Sequence, residues 1–372
     1  MSTLKKSEIL FLYETSYNIP NGDPFTGEQR YDEETKQILV SDVRIKRFIR
    51  DYLSFEKDTD IYILPKGNND VSEESVETED ADSEEKKGSG SARRIDELIK
   101  KYKAEIDKAI PKDEKAKKTF SNAAFVMKKC IDVRLFGGIS TKQKDAVNFT
   151  GPVQFALLNP SKNTVTLKEH QNTSVLESKQ GNKQGAIATT TLVPYSLVQI
   201  HGWINPKVAE KTGMTDDDLK LMYEGLWYGT SGDGSSHSRS KVGQNSVLLL
   251  EIEYAQNNQK IYGVDRLIEL KSKDDKKGEQ LRSMDDYELD FTKLFEKMGK
   301  PENAEKPDEV LQKSKICKVK YYSEIDTLKN IFTIKDEEKD GGNVKPEFKW
   351  KEKFEEIIWI KEKTEELNTE TK

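Results

Sequence analysis

Residues 18–53 join a segment of turn-forming residues to an amphipathic helix, and the rest of the predicted fold is built outward from this pair. The segment 18–27 contains two prolines, two glycines, asparagine and aspartate, a composition typical of a turn. Beyond it, apolar residues recur at three- and four-residue steps, which predicts a helix with one buried face. These residues are Ile45, Phe48, Ile49, Tyr52 and Leu53.

The start and the opposite side of this helix carry groups that could bind an anion. Ser41 or Asp42 can cap the first turn, whose free N–H groups need an acceptor. A helix start with free N–H groups and nearby cations can bind phosphate. An ordinary amphipathic helix with a solvated basic face would show the same pattern. The cations are Arg44, Lys46, Arg47 and Arg50.

The distribution of charge permits a polyanion partner, although the net charge does not suggest one. The 372 residues carry a formal charge of −6. Nine acidic residues and no basic residue lie between positions 70 and 85. Without these nine, the rest of the chain would carry +3, so cations gathered on one face could bind nucleic acid.

Cysteine use and hydropathy indicate a cytoplasmic protein. Cys130 and Cys317 form no CxxC pair, which argues against a disulfide framework or a thiolate zinc site. The apolar run near the amino terminus is too short for a signal sequence, and no run approaches the length of a membrane span. We therefore expect a reducing cytoplasmic location and no membrane partner.

The strand and helix patterns between residues 9 and 254 come close to the order β-α-β-β-α-β once insertions are removed, which predicts an α+β, ferredoxin-like fold. The second helix opens at Thr215, which forms a capping box with Asp218, and its buried side carries Leu219, Met222, Leu226 and Trp227. The predicted strands are 9–15, 37–40, 60–64, 130–136, 149–158, 193–204 and 246–254.

Two insertions and a charged carboxy-terminal region complete the pattern. Residues 59–130 leave the sheet, with an acidic loop at 66–91 and helical spacing at 93–110 and 119–129. Residues 161–191 are polar and predict an exposed hairpin with arms at 164–167 and 186–192. After residue 256 we expect strands at 260–270 and 316–322, a helix at 286–298, and an amphipathic end at 354–360 before a frayed tail.

Four motifs, in this order, resemble the backbone subunit of type I CRISPR Cascade in the RAMP superfamily, with the closest resemblance to the type I-B-like branch. The similarity extends over roughly residues 7–256. The motifs are NIPNGDP with the following YDEETKQILVSDVRIKRFIRDYL, then DVRLFGG, then TGPVQF, and a serine-rich HSRSK loop before the last buried strand.

The resemblance implies a hand-shaped protein that binds CRISPR RNA. The palm would be formed by 1–58, 131–160 and 192–256, the finger by 59–130, the thumb hairpin by 161–191, and a supporting region by 257–372. Copies would stack head to tail along the RNA and grip its backbone, and the guide would pair with target DNA. Other Cascade subunits are implied as partners, and no cofactor is implied.

The resemblance also implies which residues contact RNA. Mobile polar connections without specific contacts remain the alternative for the HSRSK loop and for the hairpin. Arg134 could instead pair with an acid under the sheet. The implied RNA-binding residues are Ser41, Arg44, Lys46, Arg50, Gly137, Gly138, Lys168, His170, Lys179, Lys183, His237, Arg239, Ser240 and Lys241, and the implied thumb wedge between bases is Val175 or Leu176.

Catalytic alternatives receive weaker support from the sequence. The three histidines lie far apart and make no HxxxH pattern, so a metal cluster is not expected. Related subunits of type III complexes cut target RNA with an aspartate in an amino-terminal loop, and Asp23 lies in such a loop. Turn chemistry is the simpler explanation of this residue. We therefore expect a protein that is not an enzyme, with a type III-like RNase and a protein-only scaffold as alternatives.

Overall fold

A central sheet of seven strands organises the computed structural model, which describes residues 4–64, 90–141, 145–177, 185–231, 239–297, 316–332 and 354–357. The strands are β1 (Ser7–Asn18), β2 (Tyr31–Asp32), β3 (Gln37–Ser41), β4 (Gly137–Ser140), β5 (Val147–Thr150), β6 (Val153–Phe155), β7 (Leu158–Pro160), β8 (Lys168–Glu177), β9 (Gly185–Ile204), β10 (Gln244–Tyr254), β11 (Glu269–Ser272), β12 (Tyr287–Asp290), β13 (Ile316–Tyr322) and β14 (Phe354–Glu356). The helices are α1 (Asp42–Glu56), α2 (Gly90–Lys101), α3 (Lys103–Ala109), α4 (Glu114–Thr119), α5 (Asn122–Lys129), α6 (Ile131–Phe136), α7 (Pro206–Thr212), α8 (Asp216–Ser231), α9 (Thr292–Lys297) and α10 (Asp326–Phe332).

The central sheet has the strand order β14-β13-β10-β1-β9-β6, with β8 paired to β9 outside this path. Strand β1 lies between β9 and β10 and runs antiparallel to both. Together with α1 and α8, strands β1, β6, β9 and β10 give the order β-α-β-β-α-β along the chain. An α+β fold was expected, and the mixed helices and sheets confirm it.

Strand β1 separates two apolar layers because successive side chains of a strand point to opposite faces. Ile9, Phe11 and Tyr13 face the layer formed with α1 and α8. Leu10 and Leu12 face the other layer, which is built largely from the carboxy-terminal region. That region also adds β13 and β14 to the central sheet. It therefore covers the second face of the sheet and extends its edge.

Helices α1 and α8 pack closely, and glycine in α8 allows it. A Cβ atom on Gly229 would lie 2.5 Å from the carbonyl oxygen of Phe48 in α1. Gly225 lies one turn earlier, against Ile49 and Tyr52. The predicted capping box of α8 is confirmed, since Thr215 Oγ1 accepts the Asp218 N–H at 3.1 Å and Asp218 Oδ2 accepts the Thr215 N–H at 3.0 Å.

Helices α2, α3 and α5 share a third apolar cluster, separate from the two layers of the sheet, that includes Ile95, Leu98, Ile106 and Val126. The predicted excursion at 59–130 thus has a core of its own. Its acidic loop at 66–91 lies almost wholly outside the described residues. Residues 60–64 were predicted as a strand and are instead irregular.

The largest correction concerns residues 130–136, which were predicted as a strand. They end α5 and form α6. Ile131, Asp132, Val133, Leu135 and Phe136 are all buried. The sequence resembles a strand because Ile131, Val133 and Leu135 alternate with two polar residues. In the helix these two polar residues are held by ion pairs, Asp132 with Arg50 and Arg134 with Asp218.

Smaller differences concern the bounds of other predicted strands and helices. The predicted strand at 149–158 is broken at Gly151-Pro152 and shared between β5, β6 and β7. The predicted strand at 260–270 is confined to β11, and the predicted helix at 286–298 is β12 followed by α9. The first arm of the hairpin is β8, not 164–167. The segment 164–167 instead packs into the first apolar layer. Val165 is buried there, and its N–H donates to the Lys36 carbonyl at 2.7 Å.

The hairpin is a direct extension of the central sheet. Strand β9 pairs with β1 as far as Asn18 and Val193, and its pairing with β8 begins at Lys168 and Leu192. One twenty-residue strand therefore belongs to the sheet at one end and to the hairpin at the other. The base of the hairpin lies beside the last residues of β1.

Candidate nucleic-acid interface

The turn segment after β1 holds the start of α1 in place. Asn21 Oδ1 accepts hydrogen bonds from the backbone N–H of Ser41 at 2.7 Å and from its hydroxyl at 2.8 Å. Ser41 Oγ in turn accepts the N–H of Arg44 at 3.4 Å, as an N-cap does. The predicted cap by Ser41 is thus confirmed, and Asn21 orients it.

The end of the serine-rich loop packs against the same segment. The Ile19 N–H donates to the Ser240 carbonyl at 3.0 Å, and Asn18 Nδ2 donates to the Val242 carbonyl at 2.9 Å. The Ser16 N–H donates to Gly243 O at 2.9 Å. These bonds bring residues 240–243 alongside the end of β1 and therefore close to the start of α1.

Arg44, which is partly buried, and Lys241, which is buried, form a pair of cations in this corner. The side chain of Arg44 lies over the Phe48 ring, 4.1 Å from its centroid, and its Nε has no hydrogen-bond partner in the described part of the chain. Lys241 is 7% exposed, and its ammonium donates to the Ile19 carbonyl. No carboxylate contributes to the pKa shift of Lys241.

The pKa values of both cations are lowered by burial. Burial, with the nearby Arg44 charge as a second cause, lowers the pKa of Lys241 from 10.5 to about 7. Burial lowers the pKa of Arg44 to about 10. The charge of Asp51 opposes this shift for Arg44 but does not outweigh burial. Two cations held close together create an environment that would favour a bound anion.

The two other α1 cations that were implied to contact RNA, Lys46 and Arg50, have carboxylate partners. Lys46 Nζ lies 3.0 Å from Asp42 Oδ2. Arg50 is buried, and its Nε donates to Asp132 Oδ2 at 2.9 Å. Asp132 also accepts the N–H groups of residues 62 and 63. Arg50 thus ties α1 to α6 and to the segment that leaves the sheet, and its contact with RNA stays a prediction.

Gly137 and Gly138, which the resemblance places in a flexible loop, lie in β4. Gly137 has a φ of +80°, and a Cβ atom there would lie 2.1 Å from the carbonyl oxygen of Phe149 in β5. Close backbone packing inside the protein already accounts for this glycine. Contact of either glycine with RNA stays a prediction. Arg134 pairs with an acid, which was the alternative to RNA contact: its Nη2 lies 2.6 Å from Asp218 Oδ1.

The predicted thumb residues are only partly within the described residues. Lys168 and His170 are exposed at the base of the hairpin. Val175 and Leu176 belong to the backbone of β8, and Arg239 opens the 3-10 helix 239–241. Lys179, Lys183 and His237 lie outside the described residues.

Asp23 is engaged in turn chemistry. Its Oδ1 accepts the Phe25 N–H at 2.9 Å, and its Oδ2 lies 3.1 Å from Arg30 Nη2. The Phe25 hydrogen bond is the main cause that lowers the pKa of Asp23. Within the described ranges there is no group of three or more histidine, cysteine or acidic residues that could hold a metal ion. The helices described there include none that is both long enough and apolar enough to cross a membrane.

Sequence reasoning missed three residues at this corner, namely Tyr17, Asn18 and Asn21. The two asparagines stand in a stretch that reads as a turn, where asparagine is common. Nothing in that pattern shows that their side chains reach Val242 and Ser41 across the fold. Tyr17 follows an alternating strand and shows no local signal of its unusual backbone.

One curated protein and two solved structures are similar to this chain. A curated CRISPR-associated protein Cas7 from Haloferax volcanii is 29% identical over 320 residues, which cover 80% of this chain and 83% of that protein. One solved structure titled a CRISPR RNA-guided surveillance complex, pre-nicking, has a TM-score of 0.40 and 13% identity over 69% of this chain and 80% of that chain. Another CRISPR RNA-guided surveillance complex has a TM-score of 0.42 and 11% identity over 86% of this chain and 89% of that chain.

The match to a family settles the assignment, because it covers most of the sequence. The family described as CRISPR-associated protein Cas7 matches residues 5–292. This range includes strands β1, β6, β9 and β10 of the central sheet, helices α1 and α8, and the β8–β9 hairpin. This protein is a member of the CRISPR-associated protein Cas7 family.

Proposed function

We propose that this Cas7-family protein is the RNA-binding backbone subunit of a type I Cascade effector complex, of the type I-B-like branch. Copies of the chain assemble head to tail along a CRISPR RNA and present it for pairing with target DNA in antiviral defence. The observation that carries the proposal is the pair of cations near the start of α1, the partly buried Arg44 and the buried Lys241.

The chemistry of this corner suits a phosphate rather than a base. It offers two cations and the start of a helix, and none of these groups distinguishes one base from another. Guide sequences differ from one RNA to the next, so a subunit that repeats along the guide must bind phosphate and ribose. Sequence recognition is then left to base pairing.

The parts of the hand follow from the same proposal. The central sheet with α1 and α8 forms the palm, and the helical excursion with its separate apolar cluster forms the finger. The β8–β9 hairpin forms the thumb, which folds over RNA held by the next copy. Lys168 and His170 contact the RNA backbone there, and Val175 or Leu176 wedges between bases.

Salt dependence of RNA binding tests the cation pair. For single strands the logarithm of affinity falls with the logarithm of salt concentration by about 0.7 per phosphate neutralised. We expect the double change Arg44→Met and Lys241→Met to weaken binding to unrelated RNA sequences equally and to flatten this slope. Methionine removes the charge and keeps an unbranched apolar side chain at each position, and fluorescence anisotropy measures the affinity.

The matched control is Arg47→Met. Arg47 lies on the same helix, is about half exposed and pairs with Asp51, so its loss should leave the salt slope nearly unchanged. An unaltered slope in the double variant, with the fold intact by circular dichroism, would remove Arg44 and Lys241 from the binding site.

We also propose that the protein does not cut RNA, in contrast to the type III-like alternative based on Asp23. This carboxylate is held by a turn and by Arg30, with no cluster of acids or histidines around it in the described residues. The RNA-loaded protein should leave a complementary RNA intact in Mg²⁺ or Mn²⁺. Regular metal-dependent cuts that disappear in Asp23→Asn would favour the nuclease.

A further inference from the structure

Tyr17 adopts a backbone conformation that few tyrosines adopt. Its φ is +47°, in the left-handed region, where a bulky side chain is a genuine outlier. Glycine or asparagine would take this conformation at lower cost. The need for a turn at this position therefore does not account for an aromatic side chain.

The residues on both sides hold Tyr17 in place. Ser16 is bonded through its N–H to Gly243 and through its hydroxyl to the Pro194 carbonyl. Asn18 is bonded to Val242 and, at its carboxamide oxygen, to the Thr15 hydroxyl. The pairing of β1 with β9 continues past Tyr17 to Asn18 and Val193. Strained residues fixed in this way cluster at ligand-binding sites.

The side chain of Tyr17 points away from both apolar layers. It is 59% exposed, although every other tyrosine or phenylalanine of β1 is fully buried. The described residues give its ring no aromatic, cation–π or hydrogen-bond partner. An exposed aromatic ring on a rigid backbone has its apolar face free for stacking.

The position of Tyr17 links the two halves of the proposed interface. It is two residues from Ile19, whose carbonyl accepts the Lys241 ammonium, so their Cα atoms lie within about 7 Å. The next residue, Asn18, pairs with Val193, one position from the base of the hairpin, where Lys168 is exposed. An RNA strand that runs from Arg44 and Lys241 to the hairpin would pass over Tyr17.

We propose that Tyr17 is a stacking platform for one base of the single-stranded RNA whose backbone is held by Arg44 and Lys241. The inference rests on the proposed RNA-binding function and adds a base contact that does not depend on sequence, because every base has a π-face. Stacking would hold the base in a defined orientation at the point where the backbone is gripped.

Two substitutions distinguish the contribution of the Tyr17 ring from that of its backbone conformation. Tyr17→Asn removes the ring and keeps a residue that tolerates the left-handed conformation, and Tyr17→Phe keeps the ring without the hydroxyl. Each variant and the wild type are titrated with an oligouridine and with a ribose-phosphate oligomer of equal length that lacks bases. We expect Tyr17→Asn to bind oligouridine about 5- to 150-fold more weakly, the range expected for loss of one stacked base.

On the baseless oligomer, Tyr17→Asn should bind as tightly as the wild type, and Tyr17→Phe should match the wild type on both ligands. Equal losses on the two ligands would overturn the stacking role, since the ring would then act on the backbone or on a neighbouring copy. Unchanged binding of oligouridine by Tyr17→Asn would overturn it as well. A wild type that binds neither ligand would refute the RNA-binding function itself, and the Tyr17 proposal with it.

Discussion

The low pKa of Lys241 predicts that RNA binding is coupled to uptake of a proton. Burial and the charge of Arg44 hold this pKa at about 7 in the RNA-free protein. Arg44 is the charged group that acts on it from α1, and no acidic group among the causes of the shift opposes that effect. A phosphate bound between the two cations would raise the Lys241 pKa back towards its ordinary value of 10.5.

The magnitude follows from the protonated fraction of the free protein. With a pKa of about 7, half of the Lys241 side chains are charged at pH 7 and about 3% at pH 8.5, while the RNA-bound side chains stay charged. The affinity for RNA should therefore fall about 15-fold over this interval. Lys241→Met, which cannot take up the proton, should bind weakly at pH 7 and show little change at pH 8.5.

The assay is fluorescence anisotropy with an oligoadenosine, whose bases do not titrate in this interval, at constant ionic strength. A wild-type affinity that stays constant from pH 7 to pH 8.5 would refute the reasoning. An equal fall in Lys241→Met would refute it too, because another group would then carry the pH dependence.

The RNA-free protein should show the opposite trend in stability. The unfolded chain keeps the Lys241 proton up to about pH 10.5, whereas the folded chain loses it near pH 7. The folded state therefore binds fewer protons between these values, and Lys241 makes the free energy of unfolding rise with pH in this window, by a few kcal/mol at most. In Lys241→Met this rise should disappear from the denaturant unfolding curves.

Two further predictions concern the hairpin and the buried ion pair. Replacing 170–190 by a short glycine-serine turn should leave the sheet folded, because residues 170 and 190 are paired neighbours at the hairpin base, but should abolish ordered multimers on RNA; normal filaments by negative-stain microscopy would contradict the thumb assignment. Arg50→Met should lower the free energy of unfolding by about 3–5 kcal/mol, because it leaves the Asp132 carboxylate buried and unpaired. The control is Arg47→Met, which breaks the more exposed pair with Asp51 and should lower the free energy of unfolding by at most about 1 kcal/mol. Similar losses in the two variants would show that the Arg50 pair contributes no more than a surface pair.

Elements with a clear period or a strong end signal were predictable from the sequence. Helix α1 has one apolar stripe and an N-cap at Ser41, and both are present. The capping box at Thr215 correctly marked the start of α8. The run 130–136 was assigned wrongly because its apolar and polar residues alternate as in a strand, whereas the fold pairs the polar residues Asp132 and Arg134 with Arg50 and Asp218 and forms a helix.

The candidate site could be predicted only in part, because its assembly depends on contacts distant in sequence. The positive charge of Arg44 and Lys241 is visible in the sequence, but their proximity follows from the packing of residues 240–243 against the end of β1. The same limit applies to Arg50. The sequence placed it with Lys46 among the cations of a basic helix side, whereas the fold brings Asp132, 82 residues away, into contact with it.

The central claim is that the protein carries CRISPR RNA, and sequencing of the nucleic acid that co-purifies with it from its host tests this most directly. The account predicts small RNAs of uniform length that share a repeat-derived tag and differ in the remainder, and these RNAs should be lost in the Arg44→Met and Lys241→Met double variant. Absence of RNA from the wild-type protein, or a mixture of fragments of unrelated length without a common tag, would contradict the account.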